Sequence, residues 1–400
     1  MGHSHDHVEV PPDVRRKLLY AVVPFAVATV IGLVVLWPTD PPSGSEVLGP
    51  PADLYDGTVV ERVSKPCAGV TEGAESDGLV QARCATVVVE LEEGPDRGEE
   101  VAVEVGEGPG APKLREGMPI VVGRAPGVEG LSDYYFADYQ RDRPLLLLAL
   151  LFAGAVVVLG RWRGLAALAA LAVSLLVIVQ FVLPAILDGR NPLAVAIVGA
   201  AVVMFLALYL THGFTPQTTT ALLGTLAGLA LTAVLAAIFV KASRFTGLVS
   251  EEANFLQAAA GQVNVKGLLL GGIVIGSLGV LDDVTVTQAS AVWQLHAADP
   301  RQSARQLYHS ALRIGRDHIG STVNTLVLAY AGASLPLLLL FTLSSQPVGA
   351  VVTGEVMAEE VVRTLVGSVG LVASVPITTA LAAAVVSRAS VRQGSDSGTL

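Results

Sequence analysis

Two adjacent carboxylates, Asp282 and Asp283, sit inside an apolar run from Gly267 to Ala291, GLLLGGIVIGSLGVLDDVTVTQASA. Ionisable residues in a membrane-length helix are costly and are kept for ion, proton or substrate handling. On a helix the pair lies about 23 Å from Gly267, at 1.5 Å of rise per residue. Gly272, Gly276, Gly279, Asp283, Thr287 and Ser290 follow at intervals of three and four, which makes one stripe. That stripe predicts close helix packing through its glycines, with Asp283 buried against a neighbour. Asp282 points about 100° away. The chemistry expected is binding of a proton or a cation; the plainer alternative is a carboxylate that hydrogen-bonds across helices and only holds the bundle.

Two further stretches carry polar groups at matching depth. Asn324, one turn past Gly320, is placed to pair with Asp283. Gly367, Gly370, Ser374 and Thr378 form a stripe on the last apolar run, with Pro376 in its interior. Proline removes a backbone donor and frees a carbonyl near residue 372, which Thr378 and Thr379 are near enough to satisfy. Broken helices of this kind build ion and substrate sites in transporters, although a purely structural kink is the commoner case. The candidate ion or substrate site is therefore Asp283, Asp282, Asn324, Thr287, Thr378 and Pro376. Gly272, Gly276, Gly279, Gly367 and Gly370 are the expected helix-packing positions. His3, His5 and His7 alternate with an Asp beside them, a weak candidate set for one Zn²⁺, Ni²⁺ or Cu²⁺, the plainer alternative being a flexible polar tail that binds metal only weakly. His212 and the Arg316-Asp317-His318 group read as interfacial residues.

These residues need spans to hold them. The 400 residues are 52% hydrophobic and only 15% charged, with a net charge of −10. That is too little charge to coat a soluble fold of this length. An acidic chain lacks the basic face that nucleic acid requires. Apolar runs at 18–37, 144–160, 164–183, 192–211, 219–240, 267–291, 320–343 and 361–386 predict eight spans. Eight puts both termini on one side. With the N-terminus inside, the inner segments carry eleven Lys and Arg and the short outer loops five. Both termini are thus expected in the cytoplasm, as tails 1–17 and 389–400. The run from Leu18 follows Arg15-Arg16-Lys17 and shows no clean cleavage site, so it is expected to stay as an anchor.

Residues 39–143 differ from the rest. They hold 21 Asp and Glu against 9 Lys and Arg, so the acidity of the chain belongs to this segment. Gly57–Val63, Ala85–Glu92, Glu100–Val105 and Met118–Val122 alternate as strands do, between turn signals such as Glu93-Gly94-Pro95. They predict a small five- or six-stranded β-barrel-like domain outside the membrane. Its Cys67 and Cys84 are the only cysteines, and an oxidising exterior favours a disulfide between them, worth roughly 3 kcal/mol.

The expected architecture is an α-helical polytopic membrane protein with an inserted extracytoplasmic β domain. Residues 144–388 resemble the YibE/F family of bacterial multi-pass membrane proteins. The resemblance rests on Gly276–Ser290, on Gly320–Gly332, and on Glu360–Gly370 with Pro376 after it. The sheet region is similar through Glu93–Gly98 and Arg115–Val122. The resemblance implies a bacterial cytoplasmic-membrane protein of permease type, and it aligns the family's single acid before valine with Asp283.

Two functions follow as expectations. One is a secondary transporter of a small solute or ion, with Asp283 as its proton or cation site. The other is a signalling, envelope-assembly or accessory protein whose outer domain binds a partner. No Walker motif, cofactor motif or facing pair of acids is present, so neither an enzyme nor a cofactor is expected. The lipid bilayer is the expected partner, with self-association into a homo-oligomer left open.

Overall fold

The computed structural model describes residues 11–45, 52–66, 83–125, 133–344 and 346–396. His3, His5, His7 and Cys67 lie outside the described residues. The chain divides into two compact units, Ser43–Ala155 and a helical unit of Met1–Pro42 with Val156–Leu400.

The first unit is a curled antiparallel sheet. Its strands are β1 (Asp53–Pro66), β2 (Arg83–Leu91), β3 (Glu100–Glu107), β4 (Pro119–Arg124) and β5 (Tyr134–Tyr139), in the order β3-β2-β1-β4-β5. Alternation puts Ala85, Val87, Val89 and Leu91 of β2 on the inner face, with Val103, Val105, Ile120 and Val122 opposite them. Cys84 is disulfide-bonded. Gly94 turns at φ 95° against the ring of Tyr55, leaving no room for a Cβ. The fifth strand was not among the four expected segments. Its Tyr-Tyr-Phe-Ala-Asp-Tyr sequence is aromatic rather than β-branched, and it pairs with β4 across a register shift.

Tyr134 at the start of β5 is buried and donates to the Asp96 carboxylate. Arg124 approaches both partners, 3.8 Å from Asp96 and 5.9 Å from the ring. Burial, then the Asp96 bond, pushes the Tyr134 phenol up to about 12.

The helical unit contains α1 (Pro12–Val35), most of α2 (Asp142–Val177), α3 (Pro192–His212), α4 (Pro216–Ala242), α5 (Glu251–Ala259), α6 (Val265–Ala298), α7 (Ala304–Ala333), α8 (Leu335–Leu343), α9 (Val348–Thr353) and α10 (Glu355–Asp396). A π-turn (Ile178–Val182) and Leu183–Leu187 continue α2. Side chains start the main helices: Asn191, Thr215 and Asn264 each accept a first-turn N–H, and Ser303 with Gln306 forms a capping box. Among the described residues, six helices are long and apolar enough to cross a membrane. A seventh is counted if α7 and α8, bent by 65°, are one span. The seventh expected run therefore starts earlier and bends, because Ala304–Ile319 continue its helix and Ser334 interrupts it.

Within α2, Arg161 has φ 52° and ψ −130°, outside the helical region. A side chain on Gly164 would collide with the carbonyl of Val156. Eight residues of straight helix would separate the two by about 12 Å, so the chain doubles back at Arg161. At the far end of α1, Trp37 stacks on Phe181, and Thr39 donates to Asp188 from its N–H (3.0 Å) and hydroxyl (3.2 Å). The Thr39 N–H bond is the main cause that holds the Asp188 carboxyl below the usual carboxylate range.

The raised Tyr134 phenol gives a pH prediction. Its protonated form is favoured by folding, so its contribution is complete below pH 10 and is lost as pH rises toward 12. Ultraviolet titration of the full chain should show one phenol ionising near pH 12 that is missing in Tyr134→Phe. Identical titrations of the two proteins would contradict the buried Tyr134–Asp96 bond.

Candidate functional site

Helices α4, α6 and α10 pack along one seam made of glycines and hydroxyls. On α4, Thr218, Ala221, Thr225, Gly228 and Thr232 recur at intervals of three and four, and all are buried. A Cβ on Gly224 would collide with the Thr378 hydroxyl of α10, and one on Gly370 of α10 with the Thr232 hydroxyl of α4. Gly228 faces Leu281 of α6 and Ser374 of α10. Backbones approach this closely only where side chains are this small.

The hydroxyls are mostly satisfied inside the seam. Thr225 bonds to the Ala221 carbonyl at 3.0 Å and shares a 2.6 Å bond with the Thr285 hydroxyl of α6. Thr232, Ser374 and Thr379 bond back to Gly228, Leu371 and Val375 carbonyls. Gln288 of α6 donates to the Ala311 carbonyl of α7 (2.9 Å) and to the Thr379 hydroxyl (2.8 Å). Its amide thus ties three helices together. Gly315 of α7 makes room for it, since a Cβ there would lie 2.8 Å from Gln288 Oε1. Two seam hydroxyls, Ser368 Oγ and Thr378 Oγ1, are sealed without a hydrogen-bond partner.

The structure divides the expected site. Thr378, Gly367 and Gly370 lie in the seam. Asp283, Thr287, Gly272, Gly276 and Gly279 do not: all five are exposed on the opposite face of α6. No heavy atom lies within 4 Å of a Cβ built on Gly272 or Gly279; Gly276 meets only the Tyr330 hydroxyl, at 3.2 Å. The packing stripe expected through these three glycines is therefore corrected. Helix contact runs instead along Leu278, Leu281, Thr285 and Gln288, because α4 and α10 match that face with small residues of their own. Asn324 is exposed and does not pair with Asp283, whose face it was expected to meet. At Pro376, where a functional break and a structural kink were both open, α10 runs through without interruption. Thr379 bonds to the Val375 carbonyl, and Thr378 is not used in this way.

Asp282 is the more enclosed acid of the pair. It lies one turn from Leu278 and two from Ala289, both buried, and its Oδ1 is sealed without a hydrogen-bond partner. The expected order, Asp283 in and Asp282 out, is reversed. A stripe of glycines has the spacing of a contact face, whereas the contact face here is the mixed Leu and Thr stripe beside it. The α4 stripe at Thr218–Thr232 was a readable signal of the seam, as were Thr285 and Gln288, four and seven residues after Leu281.

Residues 148–388, which span every element of the seam, match the YibE/F-like protein family. The chain belongs to the YibE/F-like family. No curated protein and no solved structure matches it. The YibE/F-like region includes α3 to α10 and most of the apolar helices, so the family assignment and the six apolar helices agree on a membrane protein.

The two glycine sets give opposite predictions. Gly224→Ala and Gly370→Ala put a Cβ into a stiff threonine and should each lower stability by about 1–3 kcal/mol. Gly272→Ala and Gly279→Ala open onto free space and should leave stability unchanged or slightly raised. Thermal unfolding in detergent separates the sets, and equal effects at all four positions would contradict the assignment of the contact face.

Proposed function

We propose that this YibE/F-like protein is a secondary transporter of the bacterial cytoplasmic membrane, moving a small solute or ion with Asp282 as its proton or cation site. The observation that carries it is the Asp282 carboxylate, whose Oδ1 is sealed without a donor inside a span-length apolar helix. Such a charge is costly where water is absent, and relief by a proton or cation is the use that repays keeping it. The hydroxyl seam supports the same reading. Helices joined by Thr, Ser and Gly contacts can exchange partners with little change in bonding, unlike helices joined by interlocked Leu and Phe.

Counting the two legs of α2 about Arg161 as separate spans, and bent α7–α8 as one, gives eight spans. Both termini then lie in the cytoplasm and the sheet unit lies outside, with its excess of acidic residues gathering cations near the membrane. No covalent chemistry is assigned to the chain, and a homo-oligomer in which a second copy covers the exposed α6 face is consistent with this arrangement.

Reconstituted vesicles with an entrapped pH dye test the assignment across a panel of small solutes. Asp282→Asn should reduce proton-coupled uptake at least tenfold, while Asp283→Asn should keep most of it. Full uptake by Asp282→Asn, with loss of activity instead on deletion of residues 52–139, would favour an accessory protein acting through its sheet unit.

A further inference from the structure

The seam helices carry a buried acid that the transport mechanism above does not use. Glu359 lies on the first turns of α10, four residues after Glu355. It is 7% exposed, and its Oε1 is sealed without a hydrogen-bond partner. Its helix face continues through Val366, Gly370 and Ser374 at steps of seven, four and four, which is the face that packs on α4.

Of the charged groups facing Glu359, the acids Glu355 and Glu360 have partners of their own, while Arg363, one turn on, attracts the Glu359 charge and keeps its Nε sealed without a hydrogen-bond partner. Glu355 accepts from the Thr246 N–H, the Thr246 hydroxyl (2.8 Å) and the Gly247 N–H (3.2 Å). The charge of Lys266 also acts on Glu355. Glu360 pairs with Arg363 at 3.4 Å, and the Tyr330 phenol of α7 feels both. Apart from Lys266, the buried side chains that α4 and α6 bring to this end are apolar: Ala236, Val240, Leu269 and Ile273, with Phe245 from the following turn. Of the three acids at this end, Glu359 is the one to which no donor is supplied among the described residues.

We propose that Glu359 is a protonation site at the α10 N-terminal end of the seam, exchanging a proton with the aqueous phase that the proposed orientation places outside. A buried carboxylate without a donor is unfavourable. Binding a proton removes the charge and turns one oxygen into a donor. The step is a proton taken from water by the carboxylate and returned to it, with no other reactant. Glu359 and Asp282 stand on different helices at different depths of the unit, so a proton loaded at one end and a site toward the other end form the minimum set for coupling. The proposal rests on the transport reading for its use, and on burial and missing donors for its chemistry.

Infrared difference spectroscopy of the full chain in lipid vesicles, with bulk pH as the only variable, tests it without any solute. Above the pH range in which exposed carboxylates titrate, the wild type should gain protonated-carboxyl carbonyl intensity as pH falls, with one component from Glu359 and, on the transport reading, a second from Asp282. The Glu359 component should be lost in Glu359→Gln, shifted but present in Glu359→Asp, and retained in Asp282→Asn. A band unchanged by Glu359→Gln overturns the proposal. So does a wild type in which no such band responds to pH, an outcome that needs no variant to fold. A protein that keeps the Glu359 band but moves no solute sinks the transport assignment alone.

Discussion

Backbone and side-chain polar groups in a membrane interior have no water to bond to, so each must find its partner within the protein. The α4–α6–α10 seam is built around this constraint. Its threonines and serines first bond to carbonyls three or four residues back on their own helix. With that need met, they are free to lie against a neighbouring backbone at glycine distance. The Thr225–Thr285 and Gln288–Thr379 bonds then fix which helices meet and at what depth. The flanking helices take their places from this: α3 packs on α6 where Gly271 meets Ala196, and α7 docks where Gly315 meets Gln288 and Val375. Among the described residues the seam helices leave a few sealed atoms unpaired: Thr378 and Ser368 hydroxyls, Asp282 and Glu359 carboxylate oxygens, and ring or guanidinium nitrogens of His296 and Arg363.

The two units solve different problems. The sheet unit faces a polar solvent, so its inner valines alternate with charged residues and its polar contacts, such as Arg62 with Glu107, lie on the surface. Exposed pairs of this kind contribute little to stability. Its folding rests on the valine core, on the Cys84 disulfide and on buried anchors such as Tyr134. The helical unit reverses the pattern, placing its threonine and serine seam inside and apolar side chains such as Leu171, Leu175 and Leu176 outward.

The sequence made the membrane class, the positions of most spans and four of the five strands legible, because each rests on local composition and period. Tyr134–Tyr139 escaped notice because aromatic strands lack the β-branched alternation that marks the others. The site was less legible. Periodicity placed Asp283 with Gly272, Gly276 and Gly279 on one face, and that face exists. It could not say which face meets a neighbour, since that depends on the stripes of α4 and α10, which are distant in sequence. On α10 the small stripe of Gly367, Gly370 and Thr378 and its neighbours Leu371, Val375 and Thr379 are buried together, so periodicity and contact face coincide there. Glu359 was missed because a lone acid at a span boundary looks the same in sequence whether it is solvated or buried.

The central claim is that α4 and α6 meet through Thr225 and Thr285. Disulfide cross-linking of a Thr225→Cys, Thr285→Cys double variant in native membranes tests it most directly, with Thr225→Cys, Thr287→Cys as the control on the far face of α6. The account predicts rapid, near-complete cross-linking of the first pair and none of the second. Cross-linking of the control pair at an equal or greater rate would contradict it.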